Sequence, residues 1–133
     1  MRNLMIACLM FCSIFAFAQQ KELHTFYEDG SLKSAYRYSD ENNYTVVNYY
    51  PSGTIMETGS FVNGNLNGTW ISFSAKGIKT GEAVYVNGSR EGEWKMFDDA
   101  GNVRYKISYA ANRIVSANSY DSNGKLVAES HTH

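Results

Sequence analysis

Cysteine is nearly missing from this 133-residue chain, and its placement removes it altogether from the folded part: Cys8 and Cys12 are the only two. Both fall inside an apolar run, Leu4 to Phe17, that follows Arg2 and precedes Ala16-Phe17-Ala18. A short basic start, an apolar stretch and a small-x-small site make a cleaved signal peptide, expected over residues 1–18 with cleavage after Ala18. This fourteen-residue run would span about 21 Å as a helix, short of the roughly 30 Å hydrocarbon core that a retained anchor must cross. Small residues do not lead into Cys12, so a lipid-anchored form is not expected. Export would permit disulfides, yet a chain without its leader has no thiol for a bridge, a thiolate metal site or a cysteine nucleophile. The expected location is secreted or periplasmic.

Concentrated charge is also lacking. Beyond Arg2 the chain carries 11 basic and 13 acidic residues, a formal charge of −2, and no two Lys or Arg are adjacent. Neither nucleic-acid binding nor adhesion to anionic lipid has its usual electrostatic footprint. No segment after the leader shows a 3.6-residue amphipathic pattern, so no helix is expected to cover a sheet. Catalytic motifs are missing too: there is no Gly-x-Ser-x-Gly elbow, and no glycine cluster follows a strand and opens a helix. His24 stands alone, while His131 and His133 sit in a polar stretch without a cysteine or carboxylate shell. Acidic residues occur as Glu28-Asp29, Asp40-Glu41, Glu91 with Glu93 and Asp98-Asp99, at turns and strand ends where they favour local backbone hydrogen bonds. No metal, no cofactor and no catalytic residue is expected.

What the sequence does hold is a repeat. Gly30, Gly53, Gly77, Gly101 and Gly124 are separated by 23, 24, 24 and 23 residues. Four positions before each stands Phe26, Tyr49, Phe73, Phe97 or Tyr120, and eight positions after the first four stand Tyr38, Phe61, Tyr85 and Tyr109. Two central copies are complete, Phe61 to Phe73 and Tyr85 to Phe97. Each has an Asn-Gly pair (Asn63-Gly64, Asn87-Gly88), a second glycine (Gly68, Gly92) and a tryptophan (Trp70, Trp94). Asn-Gly supplies the positive φ angles of tight hairpin turns, and the second glycine suits a wider loop or bulge. Strands are expected at Thr54 to Val62, Thr69 to Ser74, Lys79 to Val86 and Glu93 to Asp98, rich in β-branched and aromatic residues between turn signals. The flanking copies lack the second glycine and the tryptophan and are one residue shorter, 15 against 16 from aromatic to glycine. A residue lost inside a strand would turn every later side chain to the other face, so the loss is placed in the turn. Both are read as caps of the array.

These residues resemble the MORN repeat in its bacterial variant, Tyr-x-Asn-Gly-x-x-x-Gly-x-Trp-x-x-aromatic-x-x-x-Gly. Phe61 to Gly77 and Tyr85 to Gly101 fit it, and weaker copies carry the likeness from about Phe26 to Lys125. The resemblance implies rows of β-hairpins laid side by side. Some bacterial proteins with this repeat are antitoxins, and eukaryotic relatives are scaffolds or lipid-binding modules. The expected fold is therefore all-β, an elongated antiparallel meander of hairpin repeats in a single twisted sheet. Residues 19–25 are expected as a lead-in, 26–128 as the array and 129–133 as a polar tail.

Both faces of such a sheet carry apolar rows. Either the sheet rolls on itself and half-buries its aromatic edges, or an exposed aromatic row receives a partner. Phe61, Trp70, Tyr85 and Trp94 are the expected binding residues, while Gly30, Gly53, Gly64, Gly68, Gly77, Gly88, Gly92, Gly101 and Gly124 serve turns. The leading reading is an exported, non-enzymatic module that binds a protein or an envelope glycan, with no nucleic acid, no membrane insertion after cleavage, and edge pairing of copies open. An immunity or antitoxin-like protein is the alternative, and a glycan hydrolase using paired carboxylates the third.

Overall fold

Two kinds of turn, each set by local chemistry, generate the architecture. The computed structural model describes residues 20–132, so the leader expected over residues 1–18 and the terminal His133 lie outside it. Eleven strands follow one another: β1 (Glu22–Phe26), β2 (Leu32–Tyr38), β3 (Tyr44–Tyr49), β4 (Ile55–Val62), β5 (Asn65–Phe73), β6 (Lys79–Val86), β7 (Ser89–Arg90), β8 (Gly92–Phe97), β9 (Val103–Ala110), β10 (Arg113–Tyr120) and β11 (Leu126–His131). All belong to one antiparallel sheet in which sequence neighbours are spatial neighbours, with the two-residue β7 pairing β6 just before β8 takes over. There is no helix among the described residues. The all-β hairpin meander expected from the repeat is the fold.

The five turns at the marker glycines are copies of one design. In each, the residue after the aromatic (Tyr27, Tyr50, Ser74, Asp98, Asp121) donates its N–H to the carbonyl four residues on, and the glycine donates back to that residue's carbonyl. The glycines sit at φ between 79° and 88°. This is a type I turn closed by a left-handed residue, the geometry of a three-residue hairpin loop with a bulge. A register shift accompanies every one of them, immediately before Phe26, Tyr49, Phe73, Phe97 and Tyr120.

At the opposite edge the turns differ between complete and short copies. Asn63 and Gly64 have φ of 50° and 76°, and Asn87 and Gly88 have 48° and 82°, the paired positive angles of a type I′ turn. Pairing resumes at once, Val62 opposite Asn65, so β5 begins four residues earlier than Thr69. Beyond it the ladder slips by two: Ser60 pairs Asn67 and Thr58 pairs Ile71, leaving Gly68, Thr69 and Trp70 opposite Gly59 alone. The fourth copy turns on Ala111 and Asn112, with φ of 47° and 67°, and its bulge holds one extra residue, Val115. In the first copy Tyr38 pairs Tyr44 directly and the ladder has no slip. The fourth copy therefore keeps its two-residue turn and loses the residue from its bulge, while the first has a longer loop and no bulge, so the loss lies in the bulge and not in the turn, where it was expected.

Both ends of the described chain correct the expected boundaries. The lead-in contains β1, paired with β2 from Glu22↔Arg37 onward, and Glu129 to His131 of the expected tail belong to β11, where His131 lies opposite Ser116. These edge strands are largely exposed and polar, so neither shows the alternation that marks an inner strand. Backbone pairing to a neighbour is what holds them.

Apolar burial is confined to a thin layer. Val46, 2% exposed, is the one fully buried apolar side chain among the described residues, and Ser34 at 5% is its polar counterpart. Alternation along the strands puts Tyr38, Phe61, Tyr85 and Tyr109 on one face near the Asn-Gly edge. Phe26, Tyr49, Phe73, Phe97 and Tyr120 fall on the other face near the marker-glycine edge. The two aromatic series of the repeat thus line opposite faces.

Candidate functional site

The first face curves around a groove of about 730 Å³ that reaches from Tyr36 on β2 to Trp94 and Met96 on β8. Its upper wall is aromatic and mutually braced. Tyr44 stacks on Phe61 with ring centres 4.8 Å apart, and Phe61 meets Trp70 edge-on at 5.3 Å. Tyr85 meets Trp94 at 5.1 Å, and Trp94 meets Tyr109 at 4.9 Å. Such pairs add roughly 0.5–1.5 kcal/mol each beyond area burial.

Each tryptophan is anchored by the bulge that precedes it. The indole N–H of Trp70 donates to the carbonyl of Ser60 at 3.3 Å, and that of Trp94 to the equivalent carbonyl of Val84 at 3.0 Å. A bulge disrupts the ladder locally, and the indole adds a donor to a carbonyl beside it; Val84 O also accepts the N–H of Glu91. The second glycine provides the bend: Gly68 and Gly92 have φ of 80° and 65°.

The expected binding residues Phe61, Trp70, Tyr85 and Trp94 all line this one groove. None of them is an exposed row, however; each is half-buried. Of the freely exposed apolar side chains of this face, Met96 stands at the end of the groove, and Leu23, Tyr105 and Ile114 lie outside it. Of the two alternatives the sequence left open, half-burial holds for these four aromatics and the exposed row does not, since with no helix above the sheet the aromatics bury one another.

Beneath the aromatic wall runs a polar line that the aromatic pattern did not single out. Ser34 Oγ donates to Asn48 Oδ1 at 2.7 Å, and Asn48 Nδ2 donates to Glu57 Oε1 at 2.8 Å. These three stand in register on neighbouring strands, Ser34↔Asn48 and Asn48↔Glu57. Farther along, Ser72 Oγ lies 3.1 Å from Thr80 Oγ1. Asn48, Glu57, Ser72 and Thr80 reach the groove. Counting by twos from Tyr44 and from Phe61 along β3 and β4 places Asn48 and Glu57 on the aromatic side, which is the signal that could have found them. Burial raises the Tyr85 hydroxyl above its usual range, with Arg90 opposing and Glu57 adding to the rise. Burial raises Tyr44 as well, with Tyr38 and Tyr36 adding to it.

Five of the acidic residues considered for catalysis, Asp29, Asp40, Glu91, Glu93 and Asp98, have other work. Asp98 Oδ1 accepts the N–H groups of Ala100 and Asn102, Asp40 Oδ1 those of Asn42 and Asn43, and Asp29 Oδ1 both the N–H and the hydroxyl of Ser31. Those hydrogen bonds hold all three carboxyls below the ordinary value. Glu91 Oε1 accepts the N–H of Ala111 at 2.8 Å, and Asn43 and Asn67 do the same for Asn63 and Asn87. One acceptor per copy thereby ties each Asn-Gly-type turn to the next. Glu93 joins Lys95 and Lys106 at 3.2 and 3.9 Å on the opposite face. All nine turn glycines have positive φ, consistent with a purely conformational role.

Among known families, the one described as MORN repeat variant matches residues 45–63 and 90–111. The chain carries MORN-variant repeats. The second match overlaps the complete copy Tyr85 to Gly101, whereas the first covers mainly β3, the Gly53 turn and β4, so MORN character extends beyond the two tryptophan copies. No curated protein matches the MORN-variant chain. Among solved structures it is similar to part of the crystal structure of TarM, at 11% identity over 84% of this chain and 19% of that chain, with a TM-score of 0.32. The chain spans less than a fifth of that protein's length, and a likeness of that size carries no argument.

Proposed function

We propose that this protein is an exported, non-enzymatic binding module that takes an envelope glycan into the groove of its repeat sheet. The observation that carries the reading is the pairing of an aromatic wall, Tyr44, Phe61, Trp70, Tyr85 and Trp94, with a line of hydroxyl, amide and carboxylate groups along the same groove. A sugar ring presents an apolar C–H face and a rim of hydroxyls. It matches a site with flat apolar walls and a few convergent polar groups. The leader sequence supports an envelope or secreted location. Engagement of the turn carboxylates by their own backbone supports binding without catalysis.

The test is titration of the purified protein with soluble cell-wall fragments and neutral polysaccharides, followed by tryptophan fluorescence and calorimetry. Glu57→Gln and Tyr85→Phe preserve shape and are expected to weaken binding about tenfold, close to 1.4 kcal/mol, the loss of one hydrogen bond to a charged or buried group. Unchanged affinity in both variants would remove the groove from the reading. Release of new reducing ends would overturn the non-enzymatic part. Cleavage after Ala18, read by mass spectrometry of protein recovered from the envelope or medium, tests export.

A further inference from the structure

The two ends of the sheet carry complementary halves of one hairpin. Among the described residues β1 pairs only with β2, and β11 only with β10, so each offers an open edge there. In the repeat, β11 occupies the place of β2: Thr132 stands eight residues after Gly124 as Tyr38 stands eight after Gly30. Similarly β1 occupies the place of β3, because Lys21 stands five residues before Phe26 as Tyr44 stands five before Tyr49. The β2–β3 register, Ser34↔Asn48 through Tyr38↔Tyr44, therefore transfers directly to β11 of one copy against β1 of another. It sets Ala128 opposite Thr25, Glu129 opposite His24, Ser130 opposite Leu23, His131 opposite Glu22 and Thr132 opposite Lys21.

We infer that this edge is an interaction surface for a second copy of the chain, joined head to tail so that the hairpin array continues across the junction. Charge argues for it. Edge strands usually carry charges that repel a would-be partner, but here Glu22 and His24 lie 4.0 Å apart on one edge and Glu129 and His131 3.0 Å apart on the other. In the transferred register each acid meets a histidine, giving a two-by-two block in which every adjacent pair is an acid beside a base. All four side chains are half exposed and face the same side of the sheet. The junction also places Ser130 beside Leu23, which is 47% exposed in the single copy. A head-to-tail contact leaves one edge of each terminal copy free, so it builds a chain of copies that ends only if the rotation between them closes a ring. An edge contact this short is weak and concentration-dependent.

Cross-linking tests the register. Partners across an antiparallel pair lie about 4.5–5.5 Å apart at Cα, inside the range a disulfide spans. The full chain is prepared with Cys8→Ser and Cys12→Ser, so that introduced thiols are the only ones. Leu23→Cys with Ser130→Cys in one chain is expected to give a ladder of dimers, trimers and higher forms under mild oxidation, increasing with protein concentration. Each single variant is expected to give no covalent dimer on a denaturing gel. Dimers from Ser130→Cys alone or from Leu23→Cys alone would overturn the proposal in favour of a two-fold contact through one edge. Absence of the ladder in a double variant whose circular dichroism matches the parent would overturn it as well. Independently, Glu129→Lys is expected to abolish concentration-dependent sedimentation and His24→Glu in the same chain to restore it; sedimentation that ignores both changes would refute the charge pairing.

Discussion

Trp70 lies directly against the backbone of Gly59, so closely that a methyl group at residue 59 would stand 2.1 Å from Cδ2 and 2.2 Å from Cε2 of the indole. The same site in the other copies is Tyr36, Ala83 and Ile107, two residues before the aromatic. Where the following strand carries a tryptophan the site is Gly59 or Ala83, and where it does not the site is Tyr36 or Ile107. Volume is traded between neighbouring strands, a repeat-level exchange that keeps the thin layer filled.

Gly59→Ala is accordingly expected to destabilise the fold by about 1–3 kcal/mol, the usual cost of overpacking. That corresponds to a fall in melting temperature of roughly 4–8 °C per kcal/mol for a domain near this size. A second change, Trp70→Ala, is expected to cost less in the Gly59→Ala background than alone, because the two side chains share one space. Thermal unfolding of the four members of the cycle measures this; strict additivity would contradict the contact.

Removing only the indole N–H isolates the second role of the tryptophan. Trp94→Phe keeps an aromatic ring beside Tyr85 and Tyr109 but takes the donor from Val84 O, held at 3.0 Å. A loss of about 1 kcal/mol is expected in urea unfolding. The carbonyl of Val84 also accepts the N–H of Glu91 at 3.0 Å, which limits the damage.

Turn-to-turn contacts make a separate prediction. Asn67 Oδ1 accepts the N–H of Asn87 at 3.2 Å, so Asn67→Ala is expected to speed amide exchange at Asn87 while leaving Gly101 and Gly124 unaffected. Nuclear magnetic resonance exchange rates, residue by residue, check it. Uniform acceleration across the sheet would show that the contact acts globally.

Acid sensitivity follows from Asp29, Asp40 and Asp98. Hydrogen bonds to Ser31, Asn43 and Asn102 respectively are the largest cause of each lowered carboxyl. A depressed folded-state value means a contribution fully present above the unfolded aspartate value of about 3.9 and lost as pH falls through the lower folded value. The urea midpoint should thus hold through mild acid and decline below about pH 4. Asp29→Asn, Asp40→Asn and Asp98→Asn combined should flatten that decline.

The repeat was readable in the sequence because its markers are conformational necessities: a positive φ at each of five turns and an aromatic at a constant offset. The placement of the missing residue was not, because a bulge inside the ladder can take up or give away a residue, and the loss falls there and not in the turn. The polar line of Ser34, Asn48 and Glu57 was not, because these residue types are equally at home in turns and only their register across three strands unites them. Edge strands β1 and β11 escaped for a related reason. Their order comes from a neighbour's backbone, which leaves little mark on their own side chains.

The tyrosines that follow the first two aromatics show how the array is stitched. Tyr27 donates its hydroxyl to Tyr49 O at 2.7 Å and Tyr50 to Phe73 O at 2.9 Å, whereas Asp98 and Asp121 at the same place fold back on their own turns. Every bond of either kind reaches no farther than the adjoining copy. A duplication of one 23- or 24-residue unit would consequently need no new contacts elsewhere. The number of tryptophan-bearing units then acts as a ruler, and copying one segment lengthens the aromatic wall without redesigning the surface.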